Sequence, residues 1–150
     1  ATQFALGFQR FGREERIPHK HRDRQRAHTA GHRRDSPSNR GDRFETHVAD
    51  DAVVQDPVGV SALDPTGLGH RGRDAIGAFF DNVIGPNEVR FTLRESWEAG
   101  DEVANVGRIT TTMPDGTVVH TDGVFTYRVD GDGKVAALRA YWSVDRLTFG

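Results

Sequence analysis

The chain contains no cysteine among its 150 residues. Disulfide bonds, thiolate nucleophiles and cysteine-ligated metal or iron–sulfur sites are therefore excluded. The sequence also lacks a run of about 18 apolar residues, which a membrane-spanning helix would need, and it lacks the apolar N-terminal stretch of a secretory signal. These absences predict a soluble, cytoplasmic protein with no membrane partner. The length is typical of one domain with one hydrophobic core.

Apolar residues are scarce between positions 10 and 43. That segment carries 11 Lys/Arg against five Asp/Glu, a net charge of +6, within a chain whose formal net charge is -2. High charge with low hydrophobicity cannot offset the entropy of the chain, so we expect a solvated, poorly packed segment. The sequence therefore divides into an atypical basic segment, residues 1–43, and a folded domain, residues 44–150.

Three other interpretations of the basic segment remain open. A nucleic-acid-binding arm is disfavoured because the one aromatic residue of the segment, Phe11, lies at its edge, with none interleaved among the basic residues that follow, and because the segment contains acids. Nucleic acid is therefore not expected as a partner. A metal site is disfavoured because the histidine spacing matches no ligand pattern. A reading-frame shift would also explain the composition, since GC-rich genes read out of frame encode abundant Arg, His, Pro and Gly. The histidines concerned are His19, His21, His28 and His32.

The pattern of a folded domain begins at Phe44. We expect a short helix end over Arg43–Val48 and a short strand over Val53–Asp56, which Pro57 stops because proline cannot donate to a sheet ladder. Apolar residues at three- and four-residue steps predict a helix over Gly72–Ile84. Gly85 would end this helix as a left-handed cap.

Four strands separated by Gly-, Pro- and Asp-containing turns follow the helix. They are long enough to form a strongly curved sheet. The predicted fold is α+β: a cone-shaped, curved antiparallel sheet wrapped over a helical layer. The predicted strands are Val89–Ala99, Glu102–Met113, Thr117–Val129 and Val135–Val144.

Three separated pieces carry a resemblance to a known family. They are residues 49–59 (ADDAVVQDPVG), 71–80 (RGRDAIGAFF) and 133–143 (GKVAALRAYWS). In order and spacing they resemble the ketosteroid isomerases, within the nuclear transport factor 2-like and SnoaL-like superfamily. The loop with Pro65 and the strand Gly123–Val129 are most similar to mycobacterial and actinobacterial steroid-binding members. Residues 1–43 match no family pattern.

The resemblance implies that Asp56 is a catalytic base, which moves a proton between two carbons of a 3-oxo steroid. The residues themselves agree with this role. A carboxylate at a strand end, followed by proline and flanked by apolar residues, can be partly desolvated and made more basic. The alternative is that Asp56 only caps the turn before Pro57.

The oxyanion donors that the resemblance implies, a tyrosine and a neutral aspartic acid, are not found at the matching positions. The tyrosine position falls near His32, in a segment without tyrosine, and the acid position falls on Phe125. Asp122 lies three residues earlier, on the opposite face of a period-two strand. Losing one such donor typically costs about 100- to 1000-fold in turnover, which weakens the prediction of isomerase activity.

Apolar side chains on the same strands predict a pocket for a flat polycyclic ligand, although the same residues also suit an ordinary core. Tyr127 either offers its hydroxyl to a ligand oxygen or belongs to that core. The candidate substrate-binding residues are Trp142, Phe125, Tyr127, Phe80 and Leu138.

The leading functional hypothesis is a steroid delta-isomerase that needs neither a metal nor an organic cofactor. Its partner would be a small hydrophobic, steroid-like ligand. One alternative is a non-catalytic module that binds a steroid, polyketide or terpenoid. Another is a cyclase or epoxide hydrolase of the same superfamily. The resemblance also implies a homodimer that pairs the outer faces of two sheets.

Overall fold

The computed structural model describes residues 47–150. The interpretations of residues 10–43 as a solvated segment, a nucleic-acid arm or a histidine site lie outside this range, and the division of the chain at residue 44 stays a prediction. The helix end predicted over Arg43–Val48 lies largely outside it too. Where the described range covers it, that prediction is wrong, because Val48 already belongs to a strand.

The described residues form a curved, mixed sheet. Its strands are β1 (Val48–Gln55), β2 (His70–Arg71), β3 (Glu88–Ala99), β4 (Glu102–Thr112), β5 (Val118–Val129), β6 (Val135–Tyr141) and β7 (Thr148–Phe149). The strand order is β2-β1-β6-β5-β4-β3, with β7 paired to β5. The strands that follow the helix pair in antiparallel fashion as predicted, and β1 makes the sheet mixed because it runs parallel to β6.

Strand β1 is longer than predicted. It covers eight residues, of which Val53–Gln55 is only the end. Two exposed acids, Asp50 and Asp51, interrupt the apolar alternation, and this hid the start of the strand. The prediction that the strand stops before Pro57 is confirmed.

Helix α1 (Gly72–Phe79) continues into a π-helical turn over Phe80–Ile84, so the predicted helical range is confirmed. The left-handed cap at Gly85 is wrong, since its φ is -58°. The Gly85 N–H instead donates to the Phe80 carbonyl at 2.7 Å, and the Asn87 side chain donates to the Val83 carbonyl at 2.7 Å. These bonds satisfy the last carbonyls without a left-handed residue.

The sheet curves around α1. Its ladders shift register within β3, near the end of β5 and within β1, and such irregularities bend strands and increase their twist. Ile76 and Phe79 of α1 are buried against the concave face. The predicted α+β class with a curved sheet over a helix is confirmed. Core residues of the concave face are Ala52, Val54, Val103, Phe125, Tyr127, Leu138 and Ala140.

Candidate active site

Asp56 lies at the end of β1, beside the concave face. Strand alternation gives it the same side as the buried Val54, and the next loop is tied to β6 because the Val58 N–H donates to the Ala140 carbonyl at 2.8 Å. The indole N–H of Trp142 donates to Asp56 Oδ1 at 2.5 Å. Two side chains that are 86 positions apart in the sequence thus meet at one point.

Gly123 makes room for the contact between Asp56 and Trp142. Strand β6 ends at Tyr141, earlier than predicted, and Trp142 therefore leaves the ladder. A Cβ atom on Gly123 would lie 2.6 Å from the Tyr141 carbonyl oxygen and 3.3 Å from Trp142 Cβ. Any other residue at position 123 would push this segment away. The missing side chain is what lets Trp142 approach the sheet.

Burial raises the pKa of the Asp56 carboxyl above its ordinary value. The hydrogen bond from Trp142 and the nearby His70 act in the opposite direction and lower that pKa, but burial is the larger effect. A carboxylate in this setting is more basic than one in water, and its hydrogen bond fixes the direction of one oxygen. The arrangement is suited to accepting a proton from a bound molecule.

Tyr127 lies on the concave face of β5, opposite Leu138 of β6. Burial, and secondarily the negative charge of Asp56, raise the pKa of the Tyr127 hydroxyl, so it stays protonated at neutral pH. A protonated phenol near Asp56 is a hydrogen-bond donor rather than a base. Its position fits both interpretations made from the sequence, because it is buried in the core cluster and its hydroxyl is close enough to Asp56 for that charge to raise its pKa.

The other predicted site residues contact the same core cluster. Phe125 and Leu138 are buried members of it, and Phe80 packs against it from the π-helical turn. The Phe125 ring makes an edge-to-face contact with Phe91, with ring centroids 5.1 Å apart. The structure therefore brings Asp56, Trp142, Tyr127, Phe125 and Leu138 to one face, with Phe80 at its side.

His70 belongs to the site but was missed in the sequence. It pairs with Val54 across β1 and β2, and its ring stacks on Phe79 with centroids 4.3 Å apart. In the described part of the chain its Nε2 is buried and has no hydrogen-bond partner. Only the pairing of β2 with β1 brings His70 near Asp56. No local pattern in the sequence indicates that pairing.

Asn105 was missed as well, although a sequence signal exists. It occupies an inward position of β4, where Val103 and Gly107 are its inward neighbours, so a polar residue there breaks the apolar alternation. Ser96 Oγ donates to Asn105 Oδ1 at 2.7 Å. The Asn105 Nδ2 atom is buried and has no partner among residues 47–150.

Asp122 lies on the opposite face of β5 from Phe125, as strand alternation predicts. Arg108 donates to its two oxygens at 3.1 and 2.6 Å, and Arg94 donates to one of them at 2.6 Å. The hydrogen bond from Arg108 lowers the pKa of the Asp122 carboxyl. Asp122 is therefore ionised and turned away from the candidate pocket.

Residues 47–150 contain no group of three or more His, Asp or Glu side chains arranged to hold a metal ion. Within the same residues, the helical segments are too short and too polar to cross a membrane.

The chain is similar to a known domain family and to several solved structures. The SnoaL-like domain model matches residues 25–138, so the match begins inside the basic segment. The prediction that residues 1–43 match no family pattern is therefore wrong for residues 25–43. The Δ5-3-ketosteroid isomerase from Mycobacterium sp. is 40% identical with a TM-score of 0.71, over 76% of this chain and 88% of that one. No curated protein matches the chain significantly.

Two further solved structures resemble this chain. RV0760c from Mycobacterium tuberculosis, in complex with estradiol-17beta-hemisuccinate, is 35% identical with a TM-score of 0.70, over 75% of this chain and 88% of that one. SalBIII, an epoxide hydrolase/cyclase-like enzyme in pyran ring formation in polyether salinomycin, has a TM-score of 0.62 at 21% identity, over 73% and 83% of the two chains. At that identity the likeness to SalBIII concerns the fold alone.

Proposed function

This chain belongs to the SnoaL-like domain family, and on that premise we propose that it is a steroid delta-isomerase-like enzyme. Its Asp56 carboxylate removes a proton from the carbon next to a carbonyl of a 3-oxo steroid, or of a similar polycyclic ligand. The same group returns the proton to a carbon further along the conjugated system. The proton removed is replaced by the proton returned, so the isomerisation consumes no oxidant or reductant, and we assign it neither a metal nor an organic cofactor.

The observation that carries the proposal is the environment of Asp56. Its carboxyl is desolvated enough for its pKa to be raised, yet one oxygen is fixed by the Trp142 indole at 2.5 Å. A residue that only capped a turn would bond to neighbouring backbone N–H groups instead, as Asp115 and Asp130 do. The Asp56 hydrogen bond instead comes from Trp142, just after β6, and leaves the second oxygen available for a substrate.

The ligand in this proposal lies on the concave face. Trp142, Phe125 and Leu138 contact its rings, and Phe80 closes the side. Tyr127 is a further member of this set, and its hydroxyl is protonated and lies near Asp56. Flat aromatic and aliphatic surfaces with few polar groups suit a fused-ring molecule.

A second candidate function is binding without turnover. Phe125 occupies the position where the resemblance places the neutral acid donor, and its ring, which packs edge-to-face on Phe91, has no hydrogen-bond donor. Asp122 does not replace that donor, because Arg108 keeps it ionised on the other face. A pocket with the base but without that donor favours a slow isomerase or a pure binder.

One experiment separates these functions. Trp97→Phe removes the exposed tryptophan of β3 and leaves Trp142 as the fluorophore in a chain that has two tryptophans. We expect 5-androstene-3,17-dione to quench the remaining fluorescence saturably and to be converted slowly to its conjugated isomer, which absorbs in the ultraviolet. Saturable quenching without conversion would support the binding module. Absence of both would overturn the proposal.

We also propose that the outer face of the sheet forms a homodimer interface. Trp97 of β3 is 68% exposed there, and Val124 of β5 and Tyr141 of β6, which pair with each other, are exposed as well. Exposed apolar side chains on one sheet face are typical of an interaction surface. Analytical ultracentrifugation should show a dimer that Val124→Arg converts to a monomer, whereas the control Val60→Arg, in the exposed loop after β1, leaves the dimer intact. A monomeric wild type at tens of micromolar would contradict this.

The sequence-based prediction of a cytoplasmic location stays part of the proposal, supported by a chain that contains no cysteine. Fractionation of cells expressing the tagged chain tests it. Recovery in the membrane or secreted fraction would contradict it.

A further inference from the structure

The concave face holds a polar group that the proposed chemistry does not yet use. Asn105 is 1% exposed and lies in β4 among apolar inward neighbours. In residues 47–150 its Nδ2 and the Nε2 of His70 are the buried side-chain polar atoms without a hydrogen-bond partner. An unpaired buried polar group is costly, so native proteins keep few of them.

Ser96 determines how the Asn105 amide is oriented. The Ser96 hydroxyl donates to Asn105 Oδ1 at 2.7 Å, which occupies the carbonyl end of the amide. The end that remains without a partner is therefore the NH₂ group, which donates two hydrogen bonds and accepts none. An oxygen acceptor in the pocket is the partner that this group lacks.

The register of the sheet puts Asn105 in line with Asp56. Asn105 pairs with Phe125, and Phe125 pairs with Ala140. The Ala140 carbonyl in turn accepts from Val58, two residues after Asp56. Three strand spacings therefore separate the two side chains, roughly 14 Å along the sheet, and the curvature shortens the direct distance across the concave side. A fused-ring molecule that lies across the strands reaches both.

We propose that Asn105 is a specificity-determining residue whose Nδ2 donates a hydrogen bond to a carbonyl oxygen of the polycyclic ligand. This inference rests on the proposed ligand class and assigns a polar anchor to it. The anchor stands one strand beyond Phe125, the position where the resemblance places an acid donor. Ser96 acts as a positioning residue, because its hydroxyl holds the amide in the donating orientation.

The test uses Asn105→Leu, which has nearly the same shape but cannot donate. Measured by Trp142 quenching in the Trp97→Phe background, the affinity for androst-4-ene-3,17-dione should fall about 10- to 100-fold, since the ligand oxygen loses its partner. The affinity for 5α-androstane, which has no oxygen, should change less than about threefold. 5α-Androstan-3-one and 5α-androstan-17-one identify which oxygen is bound, and at least one of them must lose affinity.

Stability distinguishes this role from a structural one. Asn105→Leu replaces an unpaired buried amide with an apolar group, so we expect an equal or higher melting temperature together with weaker ketone binding. Ser96→Ala should weaken ketone binding by a smaller factor and leave 5α-androstane unaffected. Equal loss for ketones and the hydrocarbon would overturn the inference.

Failure of this inference is distinguishable from failure of the proposed function. Ketones that bind the wild type and Asn105→Leu equally well would overturn only the role of Asn105. A wild type that binds none of the four steroids would overturn the proposed function and this inference together.

Discussion

Asp56→Asn should lower the rate of isomerisation of 5-androstene-3,17-dione by about 10²- to 10⁴-fold, the usual contribution of a positioned general base. The amide has the shape of the carboxylate and still accepts the hydrogen bond from Trp142, but it cannot take up the proton. Steroid affinity should therefore change little. Initial rates followed by ultraviolet absorbance, with affinities from Trp142 quenching, measure both effects.

The pH dependence of the same pair of proteins provides the control. The base must be ionised, so the wild-type kcat/KM should rise with pH through a pKa above 3.8, while the residual rate of Asp56→Asn should stay flat.

Because burial raises the pKa of Asp56 in the folded state, ionisation works against folding, and the contribution of Asp56 to stability declines as pH rises through that raised pKa. Asp56→Asn should consequently melt higher than the wild type at pH 7. A variant with the wild-type rate would contradict the mechanism.

Phe125→Asp should increase the isomerisation rate about 100- to 1000-fold, because one preorganised oxyanion donor is typically worth that factor. The new carboxyl would face the apolar side of the sheet beside Asn105 and opposite Ala140. Burial there keeps it protonated, so it can donate to the developing oxyanion. Steady-state rates of the variant and the wild type measure the gain.

Two control variants show whether the gain comes from the new donor. Phe125→Leu removes the ring and its contact with Phe91 without adding a donor, so it should show no gain. Phe125→Asp combined with Asp56→Asn should also show none, because the donor assists a proton transfer that no longer takes place. Thermal melting checks that the variants fold, since replacing a buried aromatic side chain destabilises a core, by about 3–5 kcal/mol when it is truncated to alanine. A folded Phe125→Asp without any gain would favour the binding module.

Much of the fold could be predicted because its signals are local. The apolar stripe of α1 and the alternation in β4 and β5 lie within single elements, and the Asp- and Gly-containing turns mark where the strands end. The start of β1 could not be predicted because Asp50 and Asp51 break the alternation of apolar residues along the strand. The cap at Gly85 was wrong because Asn87 satisfies the helix end by a route that a glycine–proline pair does not reveal.

The candidate site was only partly predictable, because its contacts join residues that are far apart in the sequence. Asp56 and Trp142 could be proposed from the matching motifs, but their contact depends on Gly123, whose role appears only when β5 and β6 are paired. His70 comes close to Asp56 through β2, a two-residue strand without a pattern of its own. Asn105 was visible as a polar residue at an inward position, although its free NH₂ group depends on Ser96 of the neighbouring strand.

A crystal structure of the protein with androst-4-ene-3,17-dione would show whether Asp56 acts on a steroid held against the concave face. We predict that the ligand lies across β4, β5 and β6 with an Asp56 carboxylate oxygen about 3–3.5 Å from a ring carbon near the carbonyl, the separation from which a proton can be transferred. A steroid bound elsewhere, or one whose reactive carbons lie out of reach of Asp56, would rule out this role for Asp56.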